Sequence, residues 1–325
     1  MENKILELKN RLLLIVSVTV TLFALYSFTP AEKNNGEDQS IEQKIKSFAI
    51  PDSIKFADEN VPLTRFDLRE RFDREISVIA YQHSFTLLSL KRANRYFPII
   101  EPILKKNGVP TDFKYLALIE SNFSNRVVSP AKAAGFWQLM PATAQELGLE
   151  VTDEVDERYN IEKSTEAACR YFKRAYAKFG DWVVVAASYN AGMGRLSEEL
   201  QKQQQAKFYD LWMNDETSRY VFRLLAMKAF LAEPQKYGYC LKKEEFYPTV
   251  RCAELQVDSA VEDWASFAKA QGVPYGIFKD FNTWLRDRRL QNKAKKTYKI
   301  LIPNKEDLDF NVNKIQLYQK NWSVQ

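Results

Sequence analysis

Residues 111–123 read TDFKYLALIESNF, in which Phe113, Leu116, Ala117 and Glu120 stand at positions i, i+3, i+4 and i+7. That spacing puts all four on one face of an α-helix, with Thr111 placed as its N-cap after the turn at Gly108-Val109-Pro110. Glu120 therefore lies on an apolar stripe. Burial disfavours an ionised carboxylate and raises its pKa, so such a group can hold a proton near neutral pH and deliver it to a leaving oxygen. A buried glutamate can also be held as the partner of an arginine, and Arg126 and Arg158 are the candidates. For Glu120 taken alone the ion pair is the better reading, and the residues downstream of it shift the balance.

Ser121, Asn122 and Asn125 end the helix in polar groups, and small residues lead on to Gly135, so that backbone and Ser129 can approach a ligand closely. Gln138, in Gly135-Phe136-Trp137-Gln138, both donates and accepts, which suits hydroxyl and acetamido groups. Met140 offers apolar surface, whereas Trp137 reads as core. Pro141 to Leu147 form a short helix. Ser164 is placed to cap a longer one, where Ala168, Phe172, Ala175 and Phe179 repeat until Gly180. A further helix starts at Asp181 and puts Trp182, Val185, Ala186 and Tyr189 on one face, which carries Tyr189 toward the interior that holds Glu120. A tyrosine hydroxyl in a core needs a partner, and a buried carboxyl would serve. Asn190 is poorly suited to mid-helix, and Gly192 ends the run. The helix after Asp215 carries Tyr220, Leu224, Met227 and Leu231 on one side, so Tyr220 either reaches the cleft or packs in the core.

Composition removes several classes of function. The 325 residues, 46% hydrophobic, can bury a large core and allow two units. Forty-seven Lys+Arg against 42 Asp+Glu leave a charge of only +5, too weak for a dedicated nucleic-acid binder. His83 is the single histidine. Ser-His-Asp or Cys-His catalysis would need it, a histidine-rich zinc site is excluded, and nothing calls for a metal or an organic cofactor. Cys169 reads as core, and Cys240 and Cys252 form either a bridge or two buried thiols. The chemistry falls to carboxylates. Glycosidases ordinarily use two of them, yet no Asp or Glu occurs from Ser121 to Gln145. A second acid would have to come from Asp153, Glu154, Asp156, Asp215 or Glu216.

The expected architecture is mainly α, with a small β-α-α-β module at the end. Lys4, Lys9 and Arg11 precede an apolar run from Leu12 to Phe28, so residues 1–30 read as a signal peptide or membrane anchor, and export to the periplasm follows. No cysteine precedes Cys169, which excludes lipid attachment near that signal. Residues 31–55 read as a linker, and Arg65 to Lys106 as bracing helices broken by Pro98 and Pro102. Beyond Arg251, a strand at Leu255 and Val257, helices over Val261–Gln271 and Pro274–Phe281, and a strand over Tyr298–Pro303 make the module at 251–305, with 306–325 as a tail.

In order, Glu120-Ser121, Gly135-Phe136-Trp137-Gln138, Ser188-Tyr189-Asn190-Ala191-Gly192 and Glu216-Thr217-Ser218-Arg219-Tyr220 resemble the motifs of lytic murein transglycosylases with a goose-type lysozyme fold, glycoside hydrolase family 23. The resemblance runs from about Phe56 to Tyr239. The family often has Leu-Met or Ile-Trp where this chain has Phe136-Trp137, and Ala-Tyr where it has Ser188-Tyr189. What the resemblance implies is a lysozyme-like domain over 56–250 that acts on peptidoglycan glycan strands, with Glu120 as the sole acid and base. Ser129, Gln138, Tyr189 and Asn190 would position the sugars and hold Glu120, and Tyr220 is carried over on its own motif; Met140 joins the substrate-binding set through its apolar side chain alone. Residues 251–305 resemble a LysM module in Phe267-Ala268, Gly272-Val273-Pro274, Phe281-Asn282 and Ile302-Pro303, without its usual Gly-Asp-Thr opening and with a long basic stretch at 282–297. That resemblance implies N-acetylglucosamine binding; a structural cap is the plainer alternative. A hydrolytic goose-type lysozyme and a non-catalytic wall-binding protein are the competing functions. The second fits poorly with a costly acid on an apolar face.

Overall fold

Helix α1 (Phe66–Tyr81) and helix α2 (His83–Lys106) follow the Leu, Ile and Phe spacing of their sequences. In this computed structural model, residues 46–324 are described; the signal or anchor segment and most of the linker lie outside them. Pro98 and Pro102 do not break α2 as their chemistry suggested, because the helix continues through both. Leu90, Ala93, Phe97, Ile100 and Leu104 bury one face along its whole length, and that packing outweighs the two backbone hydrogen bonds lost to proline. A hairpin precedes α1, with β1 (Ser53–Phe56) antiparallel to β2 (Glu59–Pro62) and Ile54 opposite Val61. It docks through Phe56 on Phe113, ring centroids 5.3 Å apart, and through a 2.8 Å bond from the Ala57 N–H to Asp112.

The body continues with α3 (Lys114–Ser121), α4 (Pro141–Glu146), α5 (Ile161–Phe179), α6 (Trp182–Ala191), α7 (Met193–Lys202) and α8 (Asp215–Ala232). Two caps differ from expectation. Thr111 starts a 3₁₀ turn and makes no side-chain cap, so α3 begins later. Asn160, not Ser164, caps α5 by accepting from the Lys163 N–H at 3.0 Å, while the Ser164 hydroxyl bonds back to the Asn160 carbonyl. Asp181 caps α6 as expected, accepting from Val184 at 2.9 Å. Helix α8 lies against α1, α3 and α6. Its buried Tyr220, Leu224, Met227 and Phe230 join Leu116, Trp137 and Phe172 in one core.

A buried charge joins α1 to α8. Glu75, 1% exposed, accepts from Arg219 Nε at 2.6 Å and pairs with Arg223 Nε at 3.5 Å. Glu75→Ala removes the buried partner of both arginines, which keep Asp215 and Glu216 at the partly exposed side, and we expect a loss of about 1–3 kcal/mol in urea unfolding. A change below about 1 kcal/mol, the worth of an exposed pair, would show that the burial contributes nothing.

Strands β3 (Cys252–Val257) and β4 (Tyr298–Pro303) pair antiparallel, Leu255 opposite Ile300, around α9 (Trp264–Ala270) and α10 (Tyr275–Phe281). The β-α-α-β reading holds, with α9 shorter than 261–271. Trp264, Phe278 and Ile300 form a second core. Backbone bonds join it to the body, Asp156 N–H to the Trp284 carbonyl and Arg286 N–H to the Glu154 carbonyl, both at 2.8 Å, and ion pairs such as Lys296–Glu150 and Arg126–Asp280 add to them. The stretch read only as a tail returns to the body. Trp322 is fully buried, with its indole N–H 2.6 Å from the Leu231 carbonyl. Cys240 and Cys252 are neither bridged nor buried as expected, being free thiols of which Cys240 is exposed and Cys252 half-buried, and Cys169 is buried in the core.

Candidate active site

Glu120 occupies the last turn of α3, and the helix stops just beyond it because Asn122 turns left-handed, at φ 48°. Asparagine tolerates that conformation well. Three bonds fix this end. The Ser89 hydroxyl lies 2.8 Å from Asn122 Oδ1, Arg92 donates to the Asn122 carbonyl at 2.8 Å, and the Ser121 hydroxyl donates to the Phe136 carbonyl at 3.0 Å. The last ties the helix carrying Glu120 to the loop before α4. Ser121 was legible as a polar helix end and as part of a motif; its bond is a tertiary fact.

That loop is held from behind by a buried arginine. Arg158 forms a bidentate pair with Asp156, at 2.9 and 2.7 Å, and donates to the carbonyls of Lys132 and Leu139 at 2.7 and 3.1 Å. Inside the loop the Ser129 hydroxyl accepts from the Ala133 N–H at 3.0 Å, and the Gln138 amide donates to the Gly135 carbonyl at 2.8 Å. Gln138 itself is left-handed, at φ 45°, a conformation that costs a non-glycine residue about 1–3 kcal/mol and gathers at functional sites. Trp137 is core, as expected, with its indole N–H on Thr165 at 2.9 Å. Met140 is 42% exposed and offers apolar surface.

Neither proposed arginine holds Glu120, since Arg126 pairs with Asp280 and Arg158 with Asp156. Its partner is Tyr220, whose hydroxyl donates to Glu120 Oε1 from the buried face of α8. Tyr220 thus belongs both to the core and to the site. The Tyr189 hydroxyl departs from expectation: it donates to the Trp137 carbonyl at 2.6 Å and not to the carboxyl. It still lies within the field of Glu120, because burial first and that charge second push its pKa well up. Asn190 Oδ1 accepts from the Thr217 hydroxyl at 3.0 Å, which links the ends of α6 and α8. Ser129 and Gln138 direct their bonds into the loop and so shape it.

Burial among these groups pushes the Glu120 carboxyl up to about 7, against the opposing pull of the Tyr220 hydroxyl and the Arg223 charge. Close to neutral pH it can therefore give a proton and take one back. The second acids considered are engaged elsewhere or exposed. Asp156 is in the Arg158 clamp, Glu154 accepts from the Gln291 N–H at 3.1 Å, Asp215 pairs with Arg74 and Arg219, Glu216 with Arg223, and Asp153 is exposed. Among the described residues no cluster of three or more His, Cys, Asp or Glu could hold a metal.

Residues 97–212 match the profile of the transglycosylase SLT domain, and residues 253–306 that of the soluble lytic transglycosylase C-terminal LysM-like domain. Over 243 residues the chain is 30% identical to membrane-bound lytic murein transglycosylase D of Escherichia coli K12, covering 73% of this chain and 52% of that protein. The chain thus spans about half the length of this relative. It is 36% identical over 104 residues to the peptidoglycan transglycosylase gp16 of Escherichia phage T7, 31% of this chain and 8% of that one. The 70 kDa soluble lytic transglycosylase of Escherichia coli superposes on 52% of this chain and 29% of its own, at 22% identity and a TM-score of 0.40. An SLT transglycosylase domain followed by a LysM-like domain, with homology running over most of the length, places the chain in the lytic transglycosylase family.

Proposed function

We propose that this chain cleaves the β-1,4 bond between N-acetylmuramic acid and N-acetylglucosamine in peptidoglycan without water, leaving 1,6-anhydro-muramoyl ends. Glu120 protonates the bridging oxygen as the bond to C1 breaks. The resulting carboxylate then takes the proton from the muramoyl C6 hydroxyl as that oxygen closes onto C1. One carboxyl serves both steps, and it ends the cycle protonated as it began.

The observation that carries this reading is the position of Glu120: pushed up to about 7 by burial, bonded to a tyrosine hydroxyl and to no cation. A hydrolase would need a second carboxylate to activate water or to attack the sugar, and the candidates are ion-paired, bonded elsewhere or exposed. Tyr220 holds the carboxyl, while Ser129, Gln138, Met140, Tyr189 and Asn190 form the surrounding sugar contacts. Mass spectrometry of digested peptidoglycan tests the reaction: anhydro ends support it, and reducing ends would make the chain a lysozyme.

The pH profile tests the acid. Because Glu120 must enter the cycle protonated, kcat/KM should fall as pH rises through about 7. Tyr220→Phe removes a bond that favours the ionised form, so the falling limb should move to higher pH. A limb that stays in place would remove Tyr220 from the site.

We place the enzyme in the periplasm, held at the membrane by residues 1–30 if that segment is retained. The basic start and the apolar run from Leu12 to Phe28 support this, and among the described residues no helix is long and apolar enough to cross a membrane.

A further inference from the structure

A cavity of about 750 Å³ lies between α2 and the β3–β4 strands of the C-terminal module. None of Glu120, Ser129, Gln138, Met140, Tyr189, Asn190 or Tyr220 lines it, so it is separate from the cleft. Residues 123–126, which directly follow the end of α3, form part of its wall.

The formal charges lining it balance, with Arg92, Arg95, Arg126 and Lys299 against Glu162, Glu254, Asp280 and Asp307, but they are not paired one to one. Glu162 and Glu254 both pair with Lys299, at 2.5 and 3.0 Å, and Asp280 pairs with Arg126. Asp307 is taken by Arg251 and Lys314. Arg92 and Arg95 line the same space and pair with no carboxylate among the described residues. Arg92 gives one N–H to the Asn122 carbonyl. Arg95 gives Nε to the Pro248 carbonyl at 2.8 Å, and its guanidinium lies 5.2 Å from the centre of the Tyr247 ring. A guanidinium carries five N–H donors in a fork that matches a carboxylate. Two partly buried forks therefore stand at i and i+3 on one helix, each giving one N–H to a main-chain carbonyl among the described residues, while Ile99 and Ile277 supply apolar wall.

A neutral glycan has no use for such a pair. The volume is that of a site for a small ligand or a few residues of peptide. We propose that this cavity binds a carboxylate-bearing oligopeptide, namely the peptide stem attached to the glycan strand, with Arg92 and Arg95 taking its carboxylates. The assignment rests on peptidoglycan being the substrate and adds a second recognition site for it.

The test titrates the full chain calorimetrically with the free tetrapeptide L-Ala-D-isoglutamyl-L-Lys-D-Ala, beside N-acetylglucosamine tetramer and inorganic phosphate. Arg95→Gln removes a donor fork. Thr249→Glu, at an exposed wall position, sets a competing carboxylate into the wall without disturbing the core. Each should weaken tetrapeptide binding at least tenfold and raise KM on peptide-bearing peptidoglycan, while peptide-free glycan strands are cleaved as by the wild type. No tetrapeptide binding, binding indifferent to both variants, equal competition by phosphate, or loss of the glycan tetramer in its place would each overturn the proposal. Failure of the lytic reading is distinguishable, because the wild type would then either cleave neither substrate or leave reducing ends on both.

Discussion

Glu120→Gln should abolish lysis and at the same time make the protein more stable above neutral pH. An amide cannot deliver a proton, so the rate should fall at least about 100-fold, the lower bound for a general acid. The effect on stability has a defined sign. The carboxyl sits at about 7 in the folded chain against 4.5 unfolded. Below 4.5 both states hold the proton and the group contributes nothing; between the two values the unfolded chain sheds its proton first and stability falls; above 7 the full cost of an ionised, desolvated carboxylate is present. The amide removes that cost and can still accept from Tyr220. At pH 8 the variant should gain on the order of 2–3 kcal/mol, discounted because the side chain is only partly buried, and its Tm should rise by several degrees. At pH 4 the two proteins should melt together. Parallel melts at both pH values decide the matter: a gain that does not depend on pH would mean that the carboxyl is not desolvated.

Gly135→Ala should be among the most damaging single changes in the chain. Gly135 has φ +77°, and a methyl group there would come within 1.9 Å of the Arg158 carbonyl oxygen. That backbone cannot easily yield, since the Arg158 side chain is clamped to Asp156, Lys132 and Leu139. Backbone strain and overlap together should cost about 3–5 kcal/mol and pull the 129–139 loop away from Glu120. Gly148→Ala is the control, because Gly148 has φ +81° but its nearest foreign atom is the flexible end of Arg170 at 4.0 Å. It should lose only about 1 kcal/mol and keep its activity. Thermal melts and lytic assays of the pair separate close approach from dihedral strain. Equal losses in both would show that the Arg158 contact is irrelevant.

Local pattern made much of this legible. The helix start at Asp181, the core placement of Trp137 and Cys169, and the order of the C-terminal elements all follow from side-chain type and spacing. Where structure and spacing differ, a closer partner or a more extensive burial prevails. Asn160 caps α5 four residues ahead of Ser164, and burial along α2 overrides two prolines.

The placement of Glu120 on an apolar helical stripe, immediately before a polar stop, was determined by residues 111–123 alone, because helical period is a local property of a chain. Which groups surround that carboxyl was decided only by the tertiary structure. Tyr220 reaches it across 100 positions of sequence, Tyr189 turns instead to the Trp137 carbonyl, and Arg158 directs its charge to Asp156 and two loop carbonyls. Hydrogen bonds of this kind depend on ångström-scale distances between helix faces, which helix packing sets and sequence spacing does not encode.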